Sequence, residues 1–246
     1  MYIQMQLCET TLYDMMIERN KMKNADAQKV YRQNISIFKQ LLHALSYIHH
    51  DKQWIHRDVS TRNIFLDGSA VLLGDFGLSS YQRTTPNVNK ATEVVPVGQN
   101  DDKLTTGIGT PLYSAPEMFI TGNYTSAVDM YSAGVVLLEL FHFMGTFMEK
   151  EQTIKCVRKQ GLQGLPKDLL ASQPKVCELI VQLLSEDPAE RPTARQLLTS
   201  NELFSGETNF HQEEVDQLRA ENEQLRKRVE ALEKDILKLT QVNAES

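Results

Sequence analysis

The chain has 246 residues, 41% of them hydrophobic and 24% charged, with a formal net charge of −6. This is the composition of an ordinary globular protein of one large or two small domains, and the acidic balance argues against a broad nucleic-acid surface, which needs a basic excess. Cys8, Cys156 and Cys177 stand far apart, without a CxxC pair or zinc spacing, so free thiols in a reducing compartment are expected.

No apolar run approaches roughly 20 residues, and the N-terminus lacks a basic stretch leading into an apolar core. The sequence therefore predicts a soluble, cytoplasmic protein with no membrane span and no secretory signal. Residues 2–8 alternate loosely and predict a strand. "TLYDMMIERN" predicts a short helix. From Val30 to His50, the residues Ile35, Phe38, Leu41, Leu42, Leu45 and Ile48 recur at helical spacing, which predicts a helix with one buried face. "NIFLDGSAVLLGDFG" predicts two short strands around a turn at Asp67-Gly68. Residues 82–103 are polar and aperiodic and predict a disordered insert.

"SAVDMYSAGVVLLELF" predicts a helix apolar on most sides, and therefore central. Helices are also expected near 148–160, 174–185 and 193–200, punctuated by Pro166, Pro174 and Pro188. The fold class expected is α+β, mostly helical, with one strand at the start and two in the middle.

The tail has a different pattern. Val215, Asn222, Val229 and Ile236 fall on heptad a-positions, and Leu218, Leu225, Leu232 and Leu239 on d-positions. β-Branched residues at a with leucine at d favour a parallel two-stranded coiled coil, and a single asparagine at a fixes its register. Glu214, Glu221 and Arg228 at g would face Arg219, Arg226 and Glu233 at e with opposite sign. The expectation is a linker over 205–213 and a homodimeric coiled coil over 214–242. A helix folded back on its own domain is the alternative.

The chemistry concentrates in "WIHRDVSTRNIFLDG" and "LGDFGLS". Phosphoryl transfer needs groups that hold nucleotide phosphates, hold magnesium and orient a hydroxyl. A carboxylate suits the base, and oxygen ligands suit the cation. His56-Arg57-Asp58, Asn63, Asp75-Phe76-Gly77 and Ala115-Pro116-Glu117 occur in the order of the protein kinase motifs. The chain resembles that family, with residues 1–204 as hinge and large lobe in a protein-kinase-like fold. The resemblance implies ATP and Mg2+ as cofactors, with Asp58 as base and Asn63 and Asp75 as metal ligands. It implies adenine contacts from Met5, Gln6, Cys8 and Phe65. It also implies supporting roles for His56 and Arg57, for a Glu117–Arg191 ion pair and for Asp129 anchoring the catalytic loop.

"GTPLYSAPE" resembles serine/threonine kinases. Ser60, however, stands where those enzymes carry a lysine. Arg62 either compensates for it or leaves catalysis impaired. "YIQMQLCETTLYDMMIERN", "DMYSAGVVLLELFHFMGTFMEKEQTI" and "RPTARQLLTSNELF" are similar to the kinases that phosphorylate the alpha subunit of translation initiation factor 2, nearest to their haem-regulated inhibitor branch. That resemblance implies substrate contacts from Thr146 and Glu149, which could equally serve as a helix cap. It implies phosphorylation at Thr105, Thr106 and Thr110, the last of which could instead be structural.

No Cys-Pro pair occurs, and His43, His49 and His50 are expected to pack or face solvent. The family's glycine-rich loop, strand lysine and helix glutamate have no counterpart in the sequence. Little activity of this chain alone is therefore expected. A catalytically silent substrate-binding and dimerisation module is the alternative function.

Overall fold

A computed structural model of the chain describes residues 8–22, 26–81, 112–119 and 125–205. Several sequence expectations lie outside these residues: the strand over 2–8 apart from Cys8, Met5 and Gln6, the insert 82–103, Thr105, Thr106 and Thr110, and the heptad segment.

A helix over Leu12–Lys21 (α1) starts at Thr11, whose hydroxyl accepts the Asp14 N–H at 3.1 Å. Such a cap satisfies a donor that the helix cannot. Leu12 and Met16, one turn apart, are its buried residues. The next helix, Ala27–Ser46 (α2), is capped by Asp26 and buries Ile35, Phe38, Leu41, Leu42 and Leu45 on one face. It begins earlier than the apolar period suggests, because polar first-turn residues carry no such period. Its end widens into a π-turn over Tyr47–Asp51.

Strands Ile64–Asp67 (β3) and Ala70–Leu73 (β4) form an antiparallel hairpin, with Asp67 opposite Ala70. The turn is therefore Gly68-Ser69, one residue beyond the expected position. Gly68 sits at φ +57, a conformation that costs glycine little. Thr10–Thr11 (β1) pairs with the other edge of β3. Trp54–Ile55 (β2) and Ser80–Tyr81 (β5) form a second antiparallel pair. These two-residue strands are too short to show a period of two.

Helix Ala127–Phe141 (α3) is buried at every position from Val128 to Leu140. Each fully buried leucine or valine there contributes about 1.5–3 kcal/mol. After it come Phe147–Gln160 (α4), Lys167–Ser172 (α5), Pro174–Leu183 (α6), Ala194–Ser200 (α7) and Glu202–Ser205 (α8); α6 packs on α3, α5 on α6 and α7 on α2. The six-residue α5 was not anticipated, being under two turns long. A Cβ on Gly134 would stand 2.7 Å from the Leu183 Cβ, so glycine is what lets α3 and α6 approach. α7 opens with a reciprocal capping box between Thr193 and Gln196. Phe204 packs on Phe38 of α2, with centroids 6.0 Å apart. Among the described residues, no helix is long and apolar enough to cross a membrane.

Candidate active site

The loop between β2 and β3 brings a carboxylate and an amide together. Asn63 Nδ2 donates to the Asp58 carbonyl at 2.9 Å and to its carboxylate Oδ2 at 2.8 Å. Because the amide nitrogen is committed to Asp58, Asn63 Oδ1 is left as an acceptor. The Gly74 N–H donates to the Asn63 carbonyl at 2.9 Å. That bond fastens the end of β4 to the loop and carries Asp75 alongside. A Cβ on Gly74 would stand 2.7 Å from a ring carbon of Phe65, so any larger residue there would push the Phe65 ring aside. Asp75 is exposed, sits at φ +59, and accepts the Gly77 N–H at 3.2 Å. Aspartate tolerates this left-handed conformation because its short side chain bonds locally.

The loop hangs from α3. The buried carboxylate of Asp129 accepts the His56 N–H at 2.7 Å and the Arg57 N–H at 2.8 Å. His49 Nε2 lies 2.7 Å from the same carboxylate, placed there by the π-turn. Arg57 takes φ +68, a conformation an arginine rarely holds unless its surroundings enforce it. Its Nε donates to the Leu78 carbonyl.

His56 Nδ1 accepts the Asp58 N–H at 3.3 Å, and its Nε2 lies 3.0 Å from the Gly74 carbonyl. The two contacts together specify a neutral ring with its proton on Nε2. Burial pushes its pKa below the ordinary histidine value, against the opposing pull of Asp129. Phe76 meets the ring edge-on at 4.7 Å.

Farther out, Arg191 grips Glu117 through two parallel bonds of 2.6 and 3.0 Å. It also donates to the carbonyls of Ser185 and Ala127, so its buried fork is well used.

Ser60 and Thr61 are buried. Thr61 Oγ1 lies 2.9 Å from the Tyr113 hydroxyl, which donates to Glu139 of α3, and Glu139 in turn pairs with Lys150 of α4. Burial first, and then Glu139, push the Tyr113 pKa well above its ordinary value. Sequence reasoning passed over this chain of contacts. The lone glutamate within the apolar run "VVLLELF" was the available signal, since a buried charge needs a partner.

Arg62 makes no hydrogen bond to Asp58 or Asn63. Its guanidinium lies 4.0 Å over the ring centre of Tyr13 on α1. Thr146 is the N-cap of α4: its hydroxyl accepts the Glu149 N–H at 3.2 Å, while the Glu149 carboxylate accepts the Gly145 N–H at 3.0 Å. Both side chains remain exposed, beside the exposed Phe147 and Met148. Cys8 and Phe65 are half-buried. His43 is exposed, and His50 contacts Arg195.

Residues 1–204 match the protein kinase domain family. Eukaryotic translation initiation factor 2-alpha kinase 1 of Rattus norvegicus is 34% identical over 249 residues, covering 96% of this chain and 38% of the relative. eIF-2-alpha kinase GCN2 of Schizosaccharomyces pombe is 36% identical over 205 residues, covering 81% of this chain and 12% of the relative. Eukaryotic translation initiation factor 2-alpha kinase gcn-2 of Caenorhabditis elegans is 33% identical over 228 residues, covering 82% and 13%. The chain thus spans well under half the length of these relatives. With the ordered motifs folded around one loop and the match running over residues 1–204, the chain belongs to the protein kinase family.

Proposed function

We propose that this chain carries the catalytic lobe of a serine/threonine kinase that phosphorylates the alpha subunit of translation initiation factor 2. The observation that carries the reading is the Asp58–Asn63 contact at 2.8 Å, with Asp75 tied alongside, in a chain similar to kinases named for that substrate.

In this reading Asp58 orients the acceptor hydroxyl and takes its proton as the oxygen bonds to the γ-phosphorus and the bond from that phosphorus to the departing ADP breaks. Asn63 holds that carboxylate in place and offers Oδ1 to a cation. Asp75 has one carboxylate oxygen on Gly77 and the other to offer. One amide oxygen and one carboxylate suit magnesium, which keeps phosphate and water as its remaining ligands. Bound ATP with magnesium supplies the transferable phosphoryl group. Met5, Gln6, Cys8 and Phe65 are the proposed adenine contacts. Ser60 is only 2% exposed, so its hydroxyl does not replace the lysine usual at that position.

Thr146 and Glu149 are proposed to meet the substrate while also capping α4. Exposed Phe147 and Met148, at 49% and 78%, support docking there, since clustered apolar exposure marks contact surfaces. Phosphorylation at Thr105, Thr106 or Thr110 is proposed as the activating step, with Arg57 as a partner for the added charge. The heptads over 214–242 are proposed to pair two copies in the cytoplasm. Sedimentation should then show a dimer that Leu225→Pro converts to monomer.

Two measurements test the enzyme reading. Magnesium-dependent ATP binding by the chain should weaken in Asp75→Asn. Protein isolated from its own cells should transfer phosphate to a serine of the alpha subunit, and Asp58→Asn should abolish that transfer. Capture of the subunit without transfer would favour a silent docking module instead.

A further inference from the structure

A cavity of about 170 Å³ opens between α1, the His56–Asn63 loop and the connection from α3 to α4. Tyr13, Arg62, Tyr113, Thr146, Phe147 and Lys150 are among its lining residues. Cofactor and small-molecule sites run to about 300–1,000 Å³. This one is too small for a nucleotide and is on the scale of a single side chain.

The two charged side chains among the lining residues, Arg62 and Lys150, are both basic. Lys150 is paired with Glu139, which also receives the Tyr113 hydroxyl. Arg62 lines the same space and has no carboxylate partner among the described residues. Glu149, at the rim on the Gly145 N–H, is not paired with it, so Arg62 is the lining charge without an ion-pair partner among the described residues. Its geometry is also specific. The guanidinium carbon lies 4.0 Å over the Tyr13 ring, and the Arg62 N–H groups make no hydrogen bond to another described residue, so they are available to grip a carboxylate in two parallel bonds. Thr146 Oγ1 accepts the Glu149 N–H, so its own proton remains to donate into the cavity.

We propose that this cavity is a subsite for an aspartate or glutamate side chain of the polypeptide substrate, read by the edge of Arg62 with help from Thr146. Arg62 immediately precedes Asn63, which holds Asp58. The residue read is therefore a near neighbour of the phospho-acceptor along the substrate chain. Lysine or arginine at that substrate position is disfavoured by the same charge. Arg62 becomes a specificity-determining residue. The proposal rests on the kinase reading for the passage of a polypeptide along this loop, but not on which polypeptide it is.

The test uses seven-residue peptides with a central serine, carrying Glu, Ala, Lys or phosphoserine at each flanking position in turn. They are titrated into the full 246-residue chain and followed by fluorescence anisotropy. At one position glutamate should bind about tenfold tighter than alanine, the scale of a charge-assisted hydrogen bond. That ratio should fall to about one in Arg62→Gln and persist in part in Arg62→Lys. In Arg62→Glu it should give way to a preference for lysine. Thermal unfolding of each variant verifies that it is folded, and comparing ratios removes any general loss of affinity.

The proposal is overturned if no position prefers glutamate to alanine, if the preference survives in Arg62→Gln, or if phosphoserine alone is selected. Phosphate transfer to the initiation-factor subunit is a separate assay, so failure of that reading leaves this readout intact.

Discussion

Asp129 holds Arg57 in a left-handed backbone conformation. The carboxylate accepts the Arg57 N–H at 2.8 Å while Arg57 sits at φ +68. The same carboxylate takes the His56 N–H, so one buried group on α3 fixes the entry to the His56–Asn63 loop. Asp129→Ala would leave two inward-facing donors unsatisfied, each costing about 1–3 kcal/mol. Denaturant unfolding should therefore show a loss of about 2–6 kcal/mol. A midpoint unchanged from the native protein would mean that water replaces the carboxylate at no cost.

The Glu117–Arg191 pair should behave asymmetrically. Glu117→Ala leaves a guanidinium in a site where the Arg191 side chain is 0% exposed. Breaking a buried pair from one side costs about 3–5 kcal/mol. Arg191→Lys keeps the charge but loses the fork, and with it the bonds to Ser185 and Ala127. It should lie between native and Glu117→Ala in the same unfolding assay. A lysine variant as stable as the native protein would show that charge alone suffices there.

His56 gives stability a pH dependence of known sign. Burial lowers its pKa in the fold below the unfolded value of 6.5. Above 6.5 the ring is neutral in both states, and its contribution is fully present. As pH falls below 6.5, the unfolded chain takes up a proton that the fold resists, so stability declines until the folded pKa is passed. Unfolding midpoints should drop between pH 6.5 and pH 5, and His56→Phe should flatten that slope. An equal slope in the variant would assign the effect to other groups.

Cys177 should resist alkylation in the native state. It is fully buried, and burial pushes its thiol up to about 11. At pH 8 the thiolate is then on the order of a thousandth of the population, and thiolate is the reactive form. Mass spectrometry after iodoacetamide treatment should find Cys156, which is half-buried, modified well before Cys177. Equal labelling at the two sites would imply that α6 opens readily.

How much of this was legible in the sequence depended on length and on locality. α2 and α3 span enough turns for their apolar patterns to be read directly. The β3–β4 hairpin announced itself through Asp67-Gly68, with the turn misplaced by one residue. β1, β2, β5 and α5 are too short to carry a period. The π-turn left no trace either, and without it the contact between His49 and Asp129, 80 residues apart, could not be foreseen. Asp58, Asn63 and Asp75 were visible only as ordered motifs; that Asn63 bonds Asp58, and that Gly74 ties Asp75 beside them, needed the fold. The Thr61–Tyr113–Glu139–Lys150 chain draws one residue from each of four segments. Of these, only Glu139 was anomalous in its local setting.

Asp129 and Glu139 stand on the same unbroken helix, and α-helical rise places them about 15 Å apart along its axis. One anchors the His56–Asn63 loop, and the other anchors Tyr113 and, through Lys150, α4. The spacing between the Asp58–Asn63 pair and the face that carries Thr146 is thus counted out in backbone hydrogen bonds. An extra residue inserted in α3 between the two carboxylates would swing one of them about 100° around the axis. α3 is a fixed measure between the two, and it has no residue to gain or lose.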